Sequence, residues 1–429
     1  MLTQVGAFGF LALEELGNEG SLNVGIQDVA AAFRWVRKNI AEFGGDPTRV
    51  TAFGLSAGGV IIATLLMAED GTLDLFDRAV MQSGSAIPFL DQPKHIEGVA
   101  NLILQRTNCT GVAKVACLRS LPSNILLDAA IEANAYMSTP FGTAFGPVLD
   151  GKFITRQHYE SLALGLFRKV PIMLSTTRDE GMYFVGSKIQ AGTHAPEDII
   201  QHLIPYLTPE QKKQLHQLYP PDTNSMMYHN VSNVLGEYCF QCPAVRMARA
   251  YEAHGLPVTK IMFSHIIGIQ HLSILGGIFK GISGALHGGD IPFWWQFKSV
   301  LDLGSFEGLE VGLANVMLSG LMDFGSCANP SNCTISGVES SIPWVRYPLG
   351  RTNLDVPVKT NVYTEPDDDF DEHCEFFQRA IDSNYDSGNM VGQFQPAANV
   401  SLLGRPVKLR DPKSGVLSWF TGWPFNQFF

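Results

Sequence analysis

Three kinds of residue able to carry out acyl transfer occur in order along this chain: a serine in Gly54-Leu55-Ser56-Ala57-Gly58, carboxylates at Asp179-Glu180, and a histidine in the loop Ala285-Leu286-His287-Gly288-Gly289-Asp290. A serine hydroxyl is a poor nucleophile until a neutral imidazole takes its proton. A carboxylate beside the imidazole fixes its tautomer and stabilises the cation that forms. Such a set could attack a carbonyl carbon, and the backbone N–H of Ala57 could meet the resulting oxyanion. G-x-S-x-G is short enough to arise by chance, so its meaning depends on a strand before it and a helix after it.

Both elements are legible. Val50-Thr51-Ala52-Phe53 has the apolar, β-branched character of a short buried strand, and Gly58 to Met67 reads as a helix tucked beneath a sheet. Small residues on both sides of Ser56 suit a turn so sharp that any bulk would collide with a neighbouring strand or helix. Upstream, Ile26, Val29, Ala30, Phe33, Val36 and Ile40 recur at spacings of three and four, predicting an amphipathic helix that stops at Phe43-Gly44-Gly45-Asp46-Pro47. Further strands are expected at 78–82, at 170–175 and at 260–265, with mixed helix and loop over 86–165 and helices between 196 and 252. This alternation implies a mostly parallel sheet with helices on both faces.

The candidate acids sit just past the strand at 170–175, at the edge where open α/β sheets place their chemistry. By position alone either Asp179 or Glu180 could face the serine, or each could be a solvated loop acid or a helix cap. His287 has glycine neighbours that would let its loop approach another backbone closely; the plainer alternative is a surface loop histidine. His265 is expected inside the last strand, as a structural histidine.

Composition narrows the class. The 429 residues are 45% hydrophobic, enough for one large α/β domain or two ordinary ones. A net charge of -11 with no Lys/Arg cluster argues against nucleic acid as a partner. The most apolar window, 272–286, is interrupted by Lys280 and glycines and is too short for an integral membrane segment; a lid or pocket wall is expected there. Seven cysteines are few for a disulfide scaffold. Cys109 and Cys117 bracket one short loop and Cys327 and Cys333 another, so each pair could close a ring. Cys239-x-x-Cys242 lacks a second pair at zinc spacing, so no metal and no cofactor is expected. Sequons stand at Asn108, Asn230, Asn332 and Asn399. The acidic run 365–372 lacks EF-hand spacing and reads as a solvated turn. Residues 1–10 show no signal peptide, and nothing in the sequence specifies an oligomeric state.

The order serine, acid, histidine is that of the α/β-hydrolases, and several blocks make the likeness more specific. The stretches Gly6 to Leu11, Asn39 to Pro47, the elbow around Ser56, Gln82-Ser83-Gly84-Ser85, Gly146 to Gly151, Asp179-Glu180-Gly181, His287-Gly288 and Trp344-Val345-Arg346-Tyr347 resemble the type-B carboxylesterase/lipase family, which includes the cholinesterases, with a flavour closest to its fungal members. The resemblance runs over roughly residues 6 to 375 and implies an α/β-hydrolase domain over 1–375, with 376–429 as a C-terminal extension. It implies Ser56, Glu180 and His287 as catalytic triad, Ala57 as an oxyanion donor, Ser83 as a buried second serine near the triad, and a Cys109–Cys117 disulfide. It also implies a small apolar ester as substrate and, with the sequons, a secreted glycoprotein.

This sequence departs from the family at three points. Leu55 stands where Glu is common, which removes a carboxylate beside the serine and should alter substrate preference. Asp290 stands where Glu is frequent. The family's N-terminal strands and its His-Gly-Gly oxyanion loop have no counterpart after Met1, since the single His-Gly-Gly is His287-Gly288-Gly289 itself. One oxyanion donor contributes roughly 3 kcal/mol to catalysis. An N-terminally truncated product or gene model of a secreted esterase is therefore expected, lacking the N-terminal strands and impaired in turnover. The alternatives are a catalytically inactive fragment or a non-catalytic, cholinesterase-like binding protein.

Overall fold

The computed structural model describes residues 4–68, 74–88, 90, 97–136, 144–190, 200–201, 203–204, 206–220, 227–266, 284–296, 308–328, 344, 347, 351–354, 363–365 and 371–386. The apolar window 272–286 lies mostly outside these residues. So do most of the acidic run, the sequons at Asn332 and Asn399, and the tail beyond Asp386.

Chain contacts divide the protein into two compact units. The first comprises Met1–Val29, Asp91–Asp150 and Met390–Phe429. Its described part is helical, with Glu97–Arg106 and Ser123–Tyr136 packing around Leu102, Ile103, Ala130 and Phe145. Both oxygens of Glu15 accept N–H groups at the start of the helix Lys114–Ser120, from Lys114 and Val115. Cys109 and Cys117 are disulfide-bonded beside it.

The second unit comprises Ala30–Leu90 and Gly151–Asn389. It holds a six-stranded sheet in the order β1 (Thr51–Leu55), β2 (Arg78–Gln82), β3 (Ile172–Thr177), β4 (Val258–Phe263), β5 (Arg351–Leu354) and β6 (Tyr363–Glu365). Neighbours from β1 to β5 are parallel and β6 is antiparallel. Every residue of β3 and β4 is buried, as a sheet covered on both faces requires. One face packs on the helices Ile291–Trp295 and Gly308–Cys327 through Phe263, Phe293, Trp294, Leu313, Met317 and Phe324.

The strands at 50–53, 78–82 and 170–175 and the helices around 26–40 and 58–67 are present with shifts of a few residues: β1 extends to Leu55, β3 to Thr177, and the first helix covers Val24–Asn39 before a single 3-10 turn, Ile40–Phe43. The turn ends at Gly44 in the left-handed region, at φ 80°, which a side chain would oppose. The expected strand at 260–265 is corrected. β4 ends at Phe263, so His265 lies beyond the strand, buried, with its Nε2 3.0 Å from Oε1 of Glu310. The last described helix, Asp371–Asp386, runs across the 375/376 division.

Register decides what meets at the carboxyl edge of the sheet. Leu55 pairs with Gln82 and Gln82 with Ser175, so residues just after β1, β2 and β3 emerge side by side. These are Ser56, Ser83 and the Asp179-Glu180 turn.

Candidate active site

Ser56 occupies the turn between β1 and the helix Ala57–Met67 with φ 56° and ψ -121°, a conformation that non-glycine residues seldom adopt. The surroundings hold it there: its N–H donates to the carbonyl of Gln82 (2.8 Å) and its carbonyl accepts from Val60 N–H (3.0 Å). The glycines explain why the turn is possible. A Cβ on Gly54 would stand 2.4 Å from the Gly58 backbone, and one on Gly84 2.1 Å from the carbonyl oxygen of Ser56. Gly58 itself has open space, and the steric need on the helix side falls on Gly59, whose Cβ would stand 2.3 Å from Gly84 O. Ala57 is the first residue of the helix, where backbone N–H groups lack intrahelical partners.

Glu180 opens the helix Glu180–Gln190 directly after β3, fully buried. Its Oε1 accepts the N–H of Thr177 at 2.8 Å and its Oε2 lies 2.6 Å from Nδ1 of His287. The other imidazole nitrogen, Nε2, lies 2.9 Å from Oγ of Ser56. Ser56 and His287 are 7% and 8% exposed, so a hydrogen-bonded file runs from a buried carboxylate to a hydroxyl almost cut off from water.

Asp179 has a different task. Its carboxylate accepts the N–H of Ala285 (2.7 Å) and pairs with Arg178, while its own N–H donates to the carbonyl of Ala285 (3.0 Å). It thereby ties down the loop that presents His287. Composition and spacing alone did not reveal this use.

Several groups around this file were not legible from the sequence. The ring of Phe240 lies 4.7 Å and that of Phe184 5.0 Å from the His287 imidazole, and the two phenyl rings stack at 5.7 Å. Gln241 donates from Nε2 to the carbonyls of Thr177 and Arg178. Gly181 lets the acid turn approach the helix Met227–Gly236, since a Cβ there would stand 1.9 Å from Ser232 O. The one available signal was Pro243 inside a helical pattern, which marks an irregular turn.

Beneath the file lies a polar floor. Ser83 is fully buried with φ 46°, and its Oγ and the hydroxyls of Ser175 and Thr177 are buried without a hydrogen-bond partner among the described residues, while the buried amide of Gln82 interacts with the carboxyl of Asp290. Asp290 is fully buried, and this pushes its carboxyl up to about 6; the charge of Glu180 adds to the rise, while the Trp294 indole N–H, donating to Oδ2 at 3.0 Å, opposes it. Leu55 contributes no charge beside Ser56 and comes close to Gly288.

The expected Cys109–Cys117 disulfide is present, and the structure pairs cysteines that the sequence left unassigned. Cys242 is bonded to Cys374, 132 residues away, and Cys239 is free and buried, so the C-x-x-C does not act as a unit. Cys327 is disulfide-bonded, while Cys333 falls outside the described residues. Among the described residues no group of three or more His, Cys, Asp or Glu stands together as a metal site, and no helix is long and apolar enough to cross a membrane.

A mostly parallel sheet with a strained serine after β1, an acid after β3 and a histidine loop beyond β4 defines an α/β-hydrolase fold. The chain belongs to the carboxylesterase family, whose model matches residues 4–376. It is 34% identical over 261 residues to para-nitrobenzyl esterase of Bacillus subtilis (strain 168), covering 61% of this chain and 51% of that protein. It is 29% identical over 318 residues to Lipase 5 of Diutina rugosa, covering 68% and 55%. The chain thus spans about half the length of the curated relatives it matches. Among solved structures, a PNB esterase superposes with a TM-score of 0.69 at 27% identity, over 87% of this chain and 73% of that one.

Proposed function

We propose that this protein hydrolyses carboxylic esters through an acyl-enzyme on Ser56. The observation that carries the reading is the continuous hydrogen-bonded file Glu180–His287–Ser56 in a buried setting. Nε2 of His287 takes the Ser56 proton as Oγ attacks the ester carbonyl carbon, and Glu180 holds Nδ1–H and stabilises the imidazolium. The N–H of Ala57 donates to the tetrahedral oxyanion. His287 then protonates the departing alkoxide, and the same imidazole activates a water that releases the acid and frees Ser56. Ser83 contributes to the polar floor beneath the file. With Leu55 where a charge could have stood and aromatic rings around His287, the substrate is a small apolar ester. The names of the relatives, a para-nitrobenzyl esterase and a lipase, agree with this class.

The test is labelling of the purified chain by a fluorophosphonate, combined with hydrolysis of short-chain p-nitrophenyl esters. Ser56 is expected to carry the label, and Ser56→Ala to lose both label and turnover, by about 10⁴-fold or more for the latter. Label on another serine, or esterase activity surviving in Ser56→Ala, overturns the assignment.

A further inference from the structure

The helix packed behind Glu180 is interrupted at one place, and that place touches the base of the candidate triad and the backbone turn that leads into the acid. Met227–Gly236 and Cys242–Ala253 are α-helical, but Glu237–Gln241 between them is a π-helical turn. Pro243 supplies the reason. It has no N–H to offer the carbonyl of Cys239, and its ring would collide with that carbonyl. The turn widens, and Cys242 N–H reaches the carbonyl of Glu237, five residues back. Such insertions are frequent at functional sites.

The widened turn aims side chains at three targets. Phe240 lies against the His287 imidazole and stacks on Phe184. Gln241 holds the carbonyls of Thr177 and Arg178, at 3.3 Å and 3.1 Å, and the N–H of the same Thr177 binds Oε1 of Glu180. Glu237, 6% exposed, faces away from the triad, where its Oε2 accepts Tyr219 Oη and lies 2.7 Å from Nδ1 of His373. His373 precedes Cys374, whose disulfide to Cys242 pins the first residue after the turn to the helix Asp371–Asp386. The π turn is thus fixed from outside by a shared carboxylate and a covalent bond, and on its inner side it packs on the base and holds the backbone of Thr177 and Arg178 just before the acid.

We infer that Glu237 is a positioning residue for the Ser56–His287–Glu180 file, acting through the π turn. Relaxation of the turn to regular α-helix would rotate the residues on one side of it by about 100° relative to the other, the angle of one helical residue. Phe240 would then leave the imidazole and Gln241 the acid turn. The two donors on Glu237 and the Cys242–Cys374 bond oppose that relaxation. Displacements of this kind matter because a misplacement of about 1 Å in a catalytic group can cost about a hundredfold in rate.

The inference rests on the proposed esterase activity, so its test needs one readout that depends on turnover and one that does not. For Glu237→Ala and Phe240→Leu, kcat is measured per fluorophosphonate-titrated site, which removes any unfolded fraction from the comparison. In parallel, the low-field proton resonance of His287 Nδ1–H is followed by NMR. Expected are a fall in per-site kcat of about tenfold or more with KM within about threefold, a broadened or upfield-shifted resonance, and partial rescue in Glu237→Gln, which keeps an acceptor oxygen. The losses in Glu237→Ala and Phe240→Leu should be less than additive when combined, because both act on one turn. Per-site kcat within twofold of wild type together with an unmoved resonance overturns the inference. A wild-type chain that hydrolyses nothing while its resonance still shifts in Glu237→Ala sinks the esterase reading and leaves the positioning role standing. Should Glu237→Ala fail to fold, Glu237→Gln and Gln241→Ala decide the same question with the same two readouts.

Discussion

At the scale of single residues, the site depends on side chains held where they are costly to keep. Ser56 sits at φ 56° in a turn that two backbone approaches, at Gly54 and Gly84, make possible only without a Cβ. Asp290 is the clearest energetic case. Its carboxyl is raised to about 6, so the folded state keeps the proton to a higher pH than the unfolded chain does. The sign follows: stability falls as pH rises from about 4 to about 6, and stays lower above that window. A carboxyl held near 6 instead of its ordinary value costs the ionised folded state about 3 kcal/mol. Asp290→Asn keeps an oxygen for the Trp294 indole and cannot ionise. Urea unfolding at about pH 4 and about pH 7 should therefore show a stability difference between the two pH values that shrinks by about 2–3 kcal/mol in the variant; an unchanged difference would mean that the Asp290 carboxyl titrates in the folded state as it does in the unfolded chain.

At the scale of elements, the helix Asp371–Asp386 is held to the π turn by the Cys242–Cys374 disulfide and by the His373–Glu237 pair. The hydrogen bond that His373 donates to the Glu237 carboxylate raises its pKa; half burial opposes this, and the charges of Glu237 and Glu372 add to the rise. Tyr219, the third titratable group at the junction, stays protonated because burial pushes its phenol far up. A histidine whose folded pKa is raised gives stability that is complete below its ordinary value of about 6.5 and disappears as pH climbs through the folded pKa. Melting temperatures across pH should accordingly separate wild type from His373→Gln most at about pH 6 and bring them together toward alkaline pH. A separation independent of pH would show that His373 acts by packing on Tyr219, whose ring lies 4.6 Å away, and not by charge.

At the scale of the whole molecule, two disulfides between described cysteines fit an oxidising compartment, where sequons can be used. The structure separates two of them. Asn108 is exposed in the turn after Glu97–Arg106, with Thr110 also exposed. Asn230 is helical, its amide donates to the carbonyl of Pro220, and the hydroxyl of Ser232 is buried. Expressed through a eukaryotic secretory route, the chain should carry glycan at Asn108 and none at Asn230, as mass spectrometry of deglycosylated peptides would read; the reverse occupancy would mean that modification precedes this fold. The sequence by itself determined the elements and the order of the reacting types. Hydrophobic periods of two and 3.6 are local properties, and a strand, a glycine-lined turn and a helix around Ser56 need only neighbours in the chain to be recognised. Position alone left Asp179 and Glu180 equivalent, because adjacent residues at a strand end differ only in direction, and the choice of Glu180 rested on the family resemblance. That direction comes from β4 and the loop beyond it, so one acid binds His287 and the other binds the loop that carries it. Pairing of Cys242 with Cys374 and the grip of Gln241 on the acid turn were likewise decided by tertiary structure alone, since each joins residues more than sixty positions apart whose proximity no local pattern encodes.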